Sequence, residues 1–408
     1  MKEAIKRFLD RIGLNTDLLS HYKRRIKGID EVVENVNNES HQKRALLIYI
    51  TAPFTTNEIQ KSHQNFLQTK EMARIIGTRG YIVDAVHFQM KYVTLKHNYD
   101  LVVGLIPRGI DIYSKHMNPG CKQIAYLTSM NLAITSGNEE KRLEECYQRR
   151  GVRLKPRRFA GYIEKRIEQF DGTWYIGNEY NFQSYSAFKM PPSFRIKNTG
   201  YIFPWADPNI ERNPHNFLYF GSAGQVHKGL DLLLELFSTE IKDCTLYVCG
   251  SFAREEDFAK EYHKELYETS NIVPVGHVNI DTAQYEELAS KCAFSIMPSC
   301  AEACAGSVLT NMSAGIIPIV SKECGYEEDE VINLPDCKKE TIYSYITEYS
   351  KKDQVWLKAN SKKSIESVKD RYSDAAFNKS VEDALDGVLG GGKIGDFLIK
   401  SKRNIWQD

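Results

Sequence analysis

Two short stretches of the chain set a charged side chain where a strand gives way to a helix. The first, PSCAEACAGSVLTNMSAG at 298–315, carries a single carboxylate, Glu302, ahead of a Gly306-Ser307 step at which a helix can begin. A helix start offers unpaired backbone N–H groups and a partial positive charge, which suit phosphate oxygens, and a glycine lets a ligand approach the backbone. A carboxylate in that loop can accept bonds from sugar hydroxyls, or it can merely cap the helix. The second stretch, FGSAGQVHKGLDLLLE at 220–235, ends a strand at Phe220, turns at Gly221 and sets Lys228 just before a helix. The ammonium would add charge to the same kind of amide terminus. A solvated lysine in an ordinary loop is the plainer alternative, because the stretch is neither a Walker loop nor a dinucleotide fingerprint.

The elements that must hold these loops alternate in type. ALLIYIT (45–51), YIVDAVHF, YDLVVGLIP and KQIAYLT read as buried strands, and NEIQKSHQNFLQTKEMARIIGTRG reads as a helix closed by Gly77 and Gly80. The stretch 201–216, YIFPWADPNIERNPHN, interrupts the pattern with Pro204, Pro208 and Pro214 and reads as a linker. A second alternating series follows, from NFLYFGS through CTLYVCGS, IVPVGHV and AFSIMPS to IIPIVS. Strands separated by helices imply parallel βαβ units. The expected fold is α/β, with two Rossmann-like, doubly wound domains facing a cleft.

The expected divisions are an N-terminal helical extension (1–43), a first domain (44–205), a second domain (206–385) and a C-terminal tail (386–408). In the extension, Ile5, Phe8, Leu9 and Ile12 share one face with basic residues between them. Such a helix can pack on the protein or lie on an anionic membrane surface. Open α/β sheets bind ligands outside the carboxyl ends of their strands, which is where Lys228 and Glu302 fall.

Composition narrows the partners. Lys plus Arg number 54 and Asp plus Glu 53 among 408 residues, so no general attraction to nucleic acid is expected. No apolar run approaches the ~20 residues of a membrane span, and MKEAIKRFLDRIGLN lacks the apolar core of a signal peptide, which together suggest a cytoplasmic protein. The nine cysteines show no disulfide framework. Cys300 and Cys304 have no second pair at metal-site spacing, so reduced structural thiols and no bound metal are expected.

Taken in order, FLYFGS…HKGLDLLLE, LYVCGS, VPVGHV, YEELASKCAFSIMPS and AEACAGSVLTNMSAGIIPIVS resemble the carboxy-terminal domain of the retaining GT-B glycosyltransferases of family 4, the "group 1" class. The resemblance implies transfer of a sugar from a nucleotide-sugar co-substrate, without a further cofactor, to a glycan or lipid-linked acceptor, most often in surface polysaccharide or glycolipid assembly. It implies that Lys228 contacts the donor pyrophosphate and Glu302 the hydroxyls of the transferred sugar. Gly306, Ser307 and Val308 would open the phosphate-binding helix, Gly221 and Ser222 the first loop, and Gly250, Ser251, His277 and Val278 the nucleobase pocket.

Two positions depart from the family pattern. Ser222 stands where it has an arginine, and Thr310 where it has a second glutamate, the usual ribose ligand. A threonine cannot take a diol as a carboxylate does. On the acceptor side, His63, Asn131 and Glu179 are candidates, and RRGVRLKPRR (149–158) could be solvated or could attract an anionic acceptor. A non-catalytic scaffold that binds nucleotide, glycan or a partner protein is the rival reading.

Overall fold

The computed structural model describes residues 31–56, 63–106, 110–158 and 165–390. The first domain is a seven-stranded sheet in the order β1-β3-β2-β4-β5-β6-β7. Its strands are β1 (Val32–Val33), β2 (Lys43–Tyr49), β3 (Tyr81–His87), β4 (Tyr99–Gly104), β5 (Met117–Leu127), β6 (Gly172–Tyr175) and β7 (Ser193–Arg195). All pair in parallel except β1, which runs antiparallel to β3. The second is an all-parallel sheet in the order β10-β9-β8-β11-β12-β13. It comprises β8 (Asn213–Gly221), β9 (Thr245–Gly250), β10 (Ile272–Gly276), β11 (Cys292–Met297), β12 (Ile317–Ser321) and β13 (Ile332–Leu334).

Both sheets are sandwiched by helices, so their central strands are continuous apolar runs rather than alternating ones. Every residue of β11 is buried, as is the stretch 45–49 of β2. The principal helices are α1 (Asn65–Thr78), α2 (Leu132–Arg150), α3 (Leu230–Thr239), α4 (Ala283–Lys291), α5 (Gly306–Ser313), α6 (Lys339–Tyr349), α7 (Gln354–Arg371) and α8 (Asp374–Leu389). The second sheet has the Rossmann strand order, and its direction of winding reverses between β8 and β11. This is the fold expected from the alternation.

The helical reading of 1–43 does not hold at its end. Val32 and Val33 pair with Val86 and Ala85 of β3, a pairing that suits β-branched residues. Asn37 extends that edge, donating to Tyr81 O (2.9 Å) and accepting from Val83 N (2.9 Å). Residues 1–30 and the end of the tail, 391–408, lie outside the described residues.

The chain crosses between the domains twice. The aromatic segment after β7 stacks Phe203 and Trp205 and leans both on Tyr285, while buried Arg212 donates to Ala289 O, Ala314 O and Ser361 Oγ. Pro214 enters β8 near its start, where little of the hydrogen-bond ladder depends on its missing N–H. After α7 the chain returns, and Phe377, Val381, Ala384 and Leu385 of α8 join the core of the first domain. Arg79 of the first domain clasps Asp386 through two bonds of 2.8 Å.

The basic run 149–158 is only partly solvated: Arg153 and Lys155 are exposed, while Arg149, Arg150 and Arg157 meet buried or half-buried acids. Arg149 bonds Asp231 (2.5 Å) and Glu235 (2.9 Å) of α3, and Arg150 bonds Glu261 (2.8 Å) and Glu265 (2.7 Å), so α2 is fastened to the second domain. Burial raises the Asp231 carboxyl to about 6 against the pull of Arg142 and Arg149. Arg149→Ala should therefore lower the free energy of urea unfolding at pH 7 by about 3 kcal/mol, because it strands a buried carboxylate. Arg153→Ala, whose pair with Glu144 is exposed on both sides, should change it by under about 0.5 kcal/mol.

Candidate functional site

The reversal between β8 and β11 brings together the two loops that carry Lys228 and Glu302. The loop after β8 turns into α3 through Gly229 at φ +78°, where a Cβ would stand 2.6 Å from the Pro298 carbonyl oxygen. Only glycine lets the two loops touch there. They then lock residue by residue. Cys300 N donates to His227 O (2.9 Å), Ser299 Oγ to the same oxygen (3.3 Å), and the His227 ring nitrogen Nε2 lies 2.6 Å from Ala301 O. Burial pushes the His227 imidazole down to about 4, although Glu302 opposes it, so the ring is neutral and Nε2–H donates to that carbonyl.

At the centre, Lys228 Nζ forms an ion pair with Glu302 Oε1. Lys228 is 3% exposed, and Arg158 Nη2 approaches the other carboxylate oxygen at 3.7 Å. Burial raises the Glu302 pKa, but the charges of Lys228 and Arg158 outweigh it and hold the carboxyl down to about 2. Glu302 is thus ionised throughout the physiological range and acts as an acceptor, never as a proton donor.

The loop 298–306 is also held from the first domain. Every second carbonyl accepts a bond from a first-domain side chain: Pro298 O from Arg142 (2.8 Å), Cys300 O from Asn138 (2.8 Å), Glu302 O from Asn181 (3.2 Å), Cys304 O from Asn198 (2.8 Å) and Gly306 O from Gln64 (2.9 Å). Asn181 is itself fixed by a reciprocal cap with Asn178 at the start of the short helix Glu179–Gln183. At the start of α5, Val308 N and Leu309 N both bond Ala305 O. The amides of Gly306 and Ser307 have no hydrogen-bond partner among the described residues, which leaves the helix terminus open to an anion.

Between the domains lies a cavity of about 430 Å³. Its polar wall includes His63, Gln64, Arg158 and Glu302, and its apolar wall includes Tyr49, Phe88, Tyr126 and Tyr185 from the first domain. His63 accepts from Asn65 N at Nδ1 (3.2 Å), and its surroundings, together with Arg158, lower its pKa. The buried Tyr126 hydroxyl has no hydrogen-bond partner among the described residues.

The other candidates fall in different places. Gly221 and Gly250 sit in register at the ends of β8 and β9, and Gly250, at φ +153°, leaves 2.2 Å between a would-be Cβ and Gly221 O. Ser222 is exposed at the head of the loop, Ser251 follows β9, His277 is exposed after β10, and Val278 is buried in the core with Tyr285. Val308 is likewise core. The Thr310 hydroxyl donates to Gly306 O (2.9 Å) and accepts from Gln64 (3.3 Å), so it is engaged within the protein. Asn131 is the N-cap of α2, accepting from Ala133 N (2.9 Å). Glu179 bonds Gln183 and lines a separate cavity with Arg195, Glu327 and Lys379. Neither Asn131 nor Glu179 lines the cavity that holds Glu302 and His63.

Among the described residues, one grouping could hold a metal ion: His215, Asp243 and Cys244, at the amino ends of β8 and β9 and hence on the edge of the sheet opposite the cleft. The nine cysteines are free thiols, and Cys300 and Cys304 are buried.

If Lys228 and its neighbours hold Glu302 ionised, the stability they lend is fully present above pH ~4.5, the ordinary glutamate value, and is lost as pH falls towards about 2. Wild type and Glu302→Gln should differ by about 3 kcal/mol in urea unfolding at pH 7, and the gap should narrow steadily below pH ~4.5 as the wild-type carboxyl becomes neutral.

No curated protein matches the sequence. Among solved structures, the fold is similar to sucrose-phosphate synthase from Thermosynechococcus elongatus, with a TM-score of 0.60 and 13% identity over 86% of this chain and 100% of that one. It is similar to HepE of Anabaena, solved with UDP and glucose, with a TM-score of 0.55 and 12% identity over 85% of this chain and 100% of that one. TarM of S. aureus aligns over 71% of this chain with a TM-score of 0.50 and 11% identity, and the chain spans 55% of TarM's length. The chain therefore has the two-domain GT-B fold, and its residues 214–341, which contain both charged loops, match the family model of "Glycosyl transferases group 1".

Proposed function

We propose that the protein is a retaining glycosyltransferase that moves a sugar from a nucleotide-sugar donor to a glycan or lipid-linked acceptor, in the assembly of a surface polysaccharide or glycolipid. The observation that carries this reading is the buried Lys228–Glu302 pair at the strand-order reversal, whose Glu302 lines a cavity shared by both domains. The group 1 glycosyl transferase match over this segment and the UDP complexes of HepE support it.

Transfer breaks the bond between the anomeric carbon and a diphosphate oxygen, and negative charge gathers on that oxygen. Lys228 and the open amides of Gly306 and Ser307 would stabilise it as fixed donors, without a metal ion. Glu302, being ionised, would accept from sugar hydroxyls and hold the ring beside its phosphate. For retention, the acceptor hydroxyl attacks the face that the diphosphate is leaving. Its oxygen bonds the anomeric carbon, and its proton passes to the departing phosphate oxygen. No side chain is then needed as general base.

The scaffold reading keeps one specific support: Ser222 brings no charge to the first loop, and the Thr310 hydroxyl is spent inside the protein. A thermal-shift panel of nucleoside diphosphates and their sugars separates the two. Ligand at ~100 times its dissociation constant should add ~2.7 kcal/mol of stability. For the matching base, Glu302→Ala should reduce the shift with the sugar nucleotide more than the shift with the diphosphate. Lys228→Ala should reduce both shifts and lower turnover by ~100-fold or more. Normal turnover in Lys228→Ala would refute the transfer mechanism, and a well-folded wild type that shifts with no compound would favour the scaffold.

A further inference from the structure

Along the basic run, four arginines are spent on carboxylates: Arg149 and Arg150 on the helices of the second domain, Arg153 on Glu144, and Arg157 on Asp257 and Glu255. Arg158 is different. Its backbone N–H is held by both oxygens of Glu139 at 3.0 Å, which fixes where the side chain starts. The side chain then crosses the loop after β8, its Cγ only 2.8 Å from where a Gly224 Cβ would stand, and reaches the cavity wall. Its guanidinium makes no hydrogen bond among the described residues. The nearest acid is Glu302, at 3.7 Å, beyond hydrogen-bond length.

A guanidinium has five donors in a rigid fork, and here it stands in a ligand-sized cavity with one distant partner. Lys228 holds the near oxygen of the same carboxylate. Two cations thus share one anion, leaving an excess positive charge between them. The exposed head of the loop, Ser222 and Ala223, contributes no charge of its own. A nucleoside diphosphate leaves with two to three negative charges, more than one ammonium balances, and paired phosphate oxygens match a guanidinium fork.

We infer that Arg158 is a second phosphate-binding cation of this site, reaching across from the first domain to bracket the donor's pyrophosphate opposite Lys228. The inference rests on the donor reading proposed above. It means that the charge for the leaving group is divided between the domains, so that binding a diphosphate ties them together.

The test is calorimetric titration with UDP, ADP and GDP and with the matching monophosphates. It would use the full-length protein as wild type, Arg158→Ala, Arg158→Lys and the double variant Arg158→Ala/Ser222→Arg. With the base that wild type accepts, Arg158→Ala should weaken the diphosphate tenfold or more and the monophosphate less. Arg158→Lys should recover part of the loss, because it restores the charge without the fork. Ser222→Arg, which puts a guanidinium on the exposed head of the second domain's own loop, should recover several-fold in the Arg158→Ala background. Ligand-free thermal midpoints, recorded for every variant, measure separately what Arg158 lends to Glu302 in the unliganded protein. Diphosphate affinity in Arg158→Ala within twofold of wild type would overturn the inference, as would an equal loss for monophosphate. A wild type that binds none of the diphosphates would instead sink the donor reading, and this inference with it.

Discussion

A loop buried between two domains must satisfy its carbonyl groups, and the loop that carries Glu302 does so with side chains of the other domain. The oxygens of Pro298, Cys300, Glu302, Cys304 and Gly306 alternate along the chain, and each accepts from a different first-domain residue. One such bond contributes only about 1 kcal/mol net, but a buried carbonyl left without a partner costs more than the bond gains. The shape of this loop therefore depends on how the domains dock. The second sheet brings Glu302 to the cleft, and the first domain fixes how the carboxylate's backbone is held there.

The same docking accounts for the charges. Arg149 and Arg150 anchor α2 to acids of the second domain, and buried Asp231 relies on Arg142 and Arg149 to stay charged. A buried ion pair gains little net stability, because desolvation offsets its attraction. The pairs across this interface are better understood as fixing register: they set α2 so that Asn138 and Arg142 meet Cys300 O and Pro298 O. At the site itself, burial and mutual pairing fix Lys228 and Glu302 in place.

The fold was legible because parallel sheets covered on both faces produce unbroken apolar strands, and such runs as ALLIY and AFSIM stand out from amphipathic helices. Strand order was less so, since local periodicity does not say which strands become neighbours. The pairing of Lys228 with Glu302 joins two positions that each follow a strand and precede a helix, a local signature. Gln64, Asn181, Asn198 and Arg142 could not be read from the sequence, because their partners lie over a hundred residues away in sequence and an amide that bonds a carbonyl carries no local pattern. Asn131 and Glu179 show the opposite error. A polar residue between strand and helix suggests a site, yet Asn131 is spent as a helix cap and Glu179 sits in the first turn of a short helix. In the basic run, composition reports charge but not the acids that meet Arg149, Arg150 and Arg157.

The start of α5 separates what this site can hold from what it cannot. Its first two amides are open, so phosphate oxygens would find donors there without displacing any internal bond. Four residues on, Thr310 is tied to Gly306 O and to Gln64, so a sugar hydroxyl at that point would have to break bonds already made. A carboxylate in that position could accept a diol, but the threonine joins the first domain to the helix instead. The helix start therefore favours an anion over a ribose. On the donor reading proposed above, the nucleoside would lie at the carboxyl ends of β8, β9 and β10, where Gly221 and Gly250 bring two backbones together and Ser251 and His277 stand at the edge.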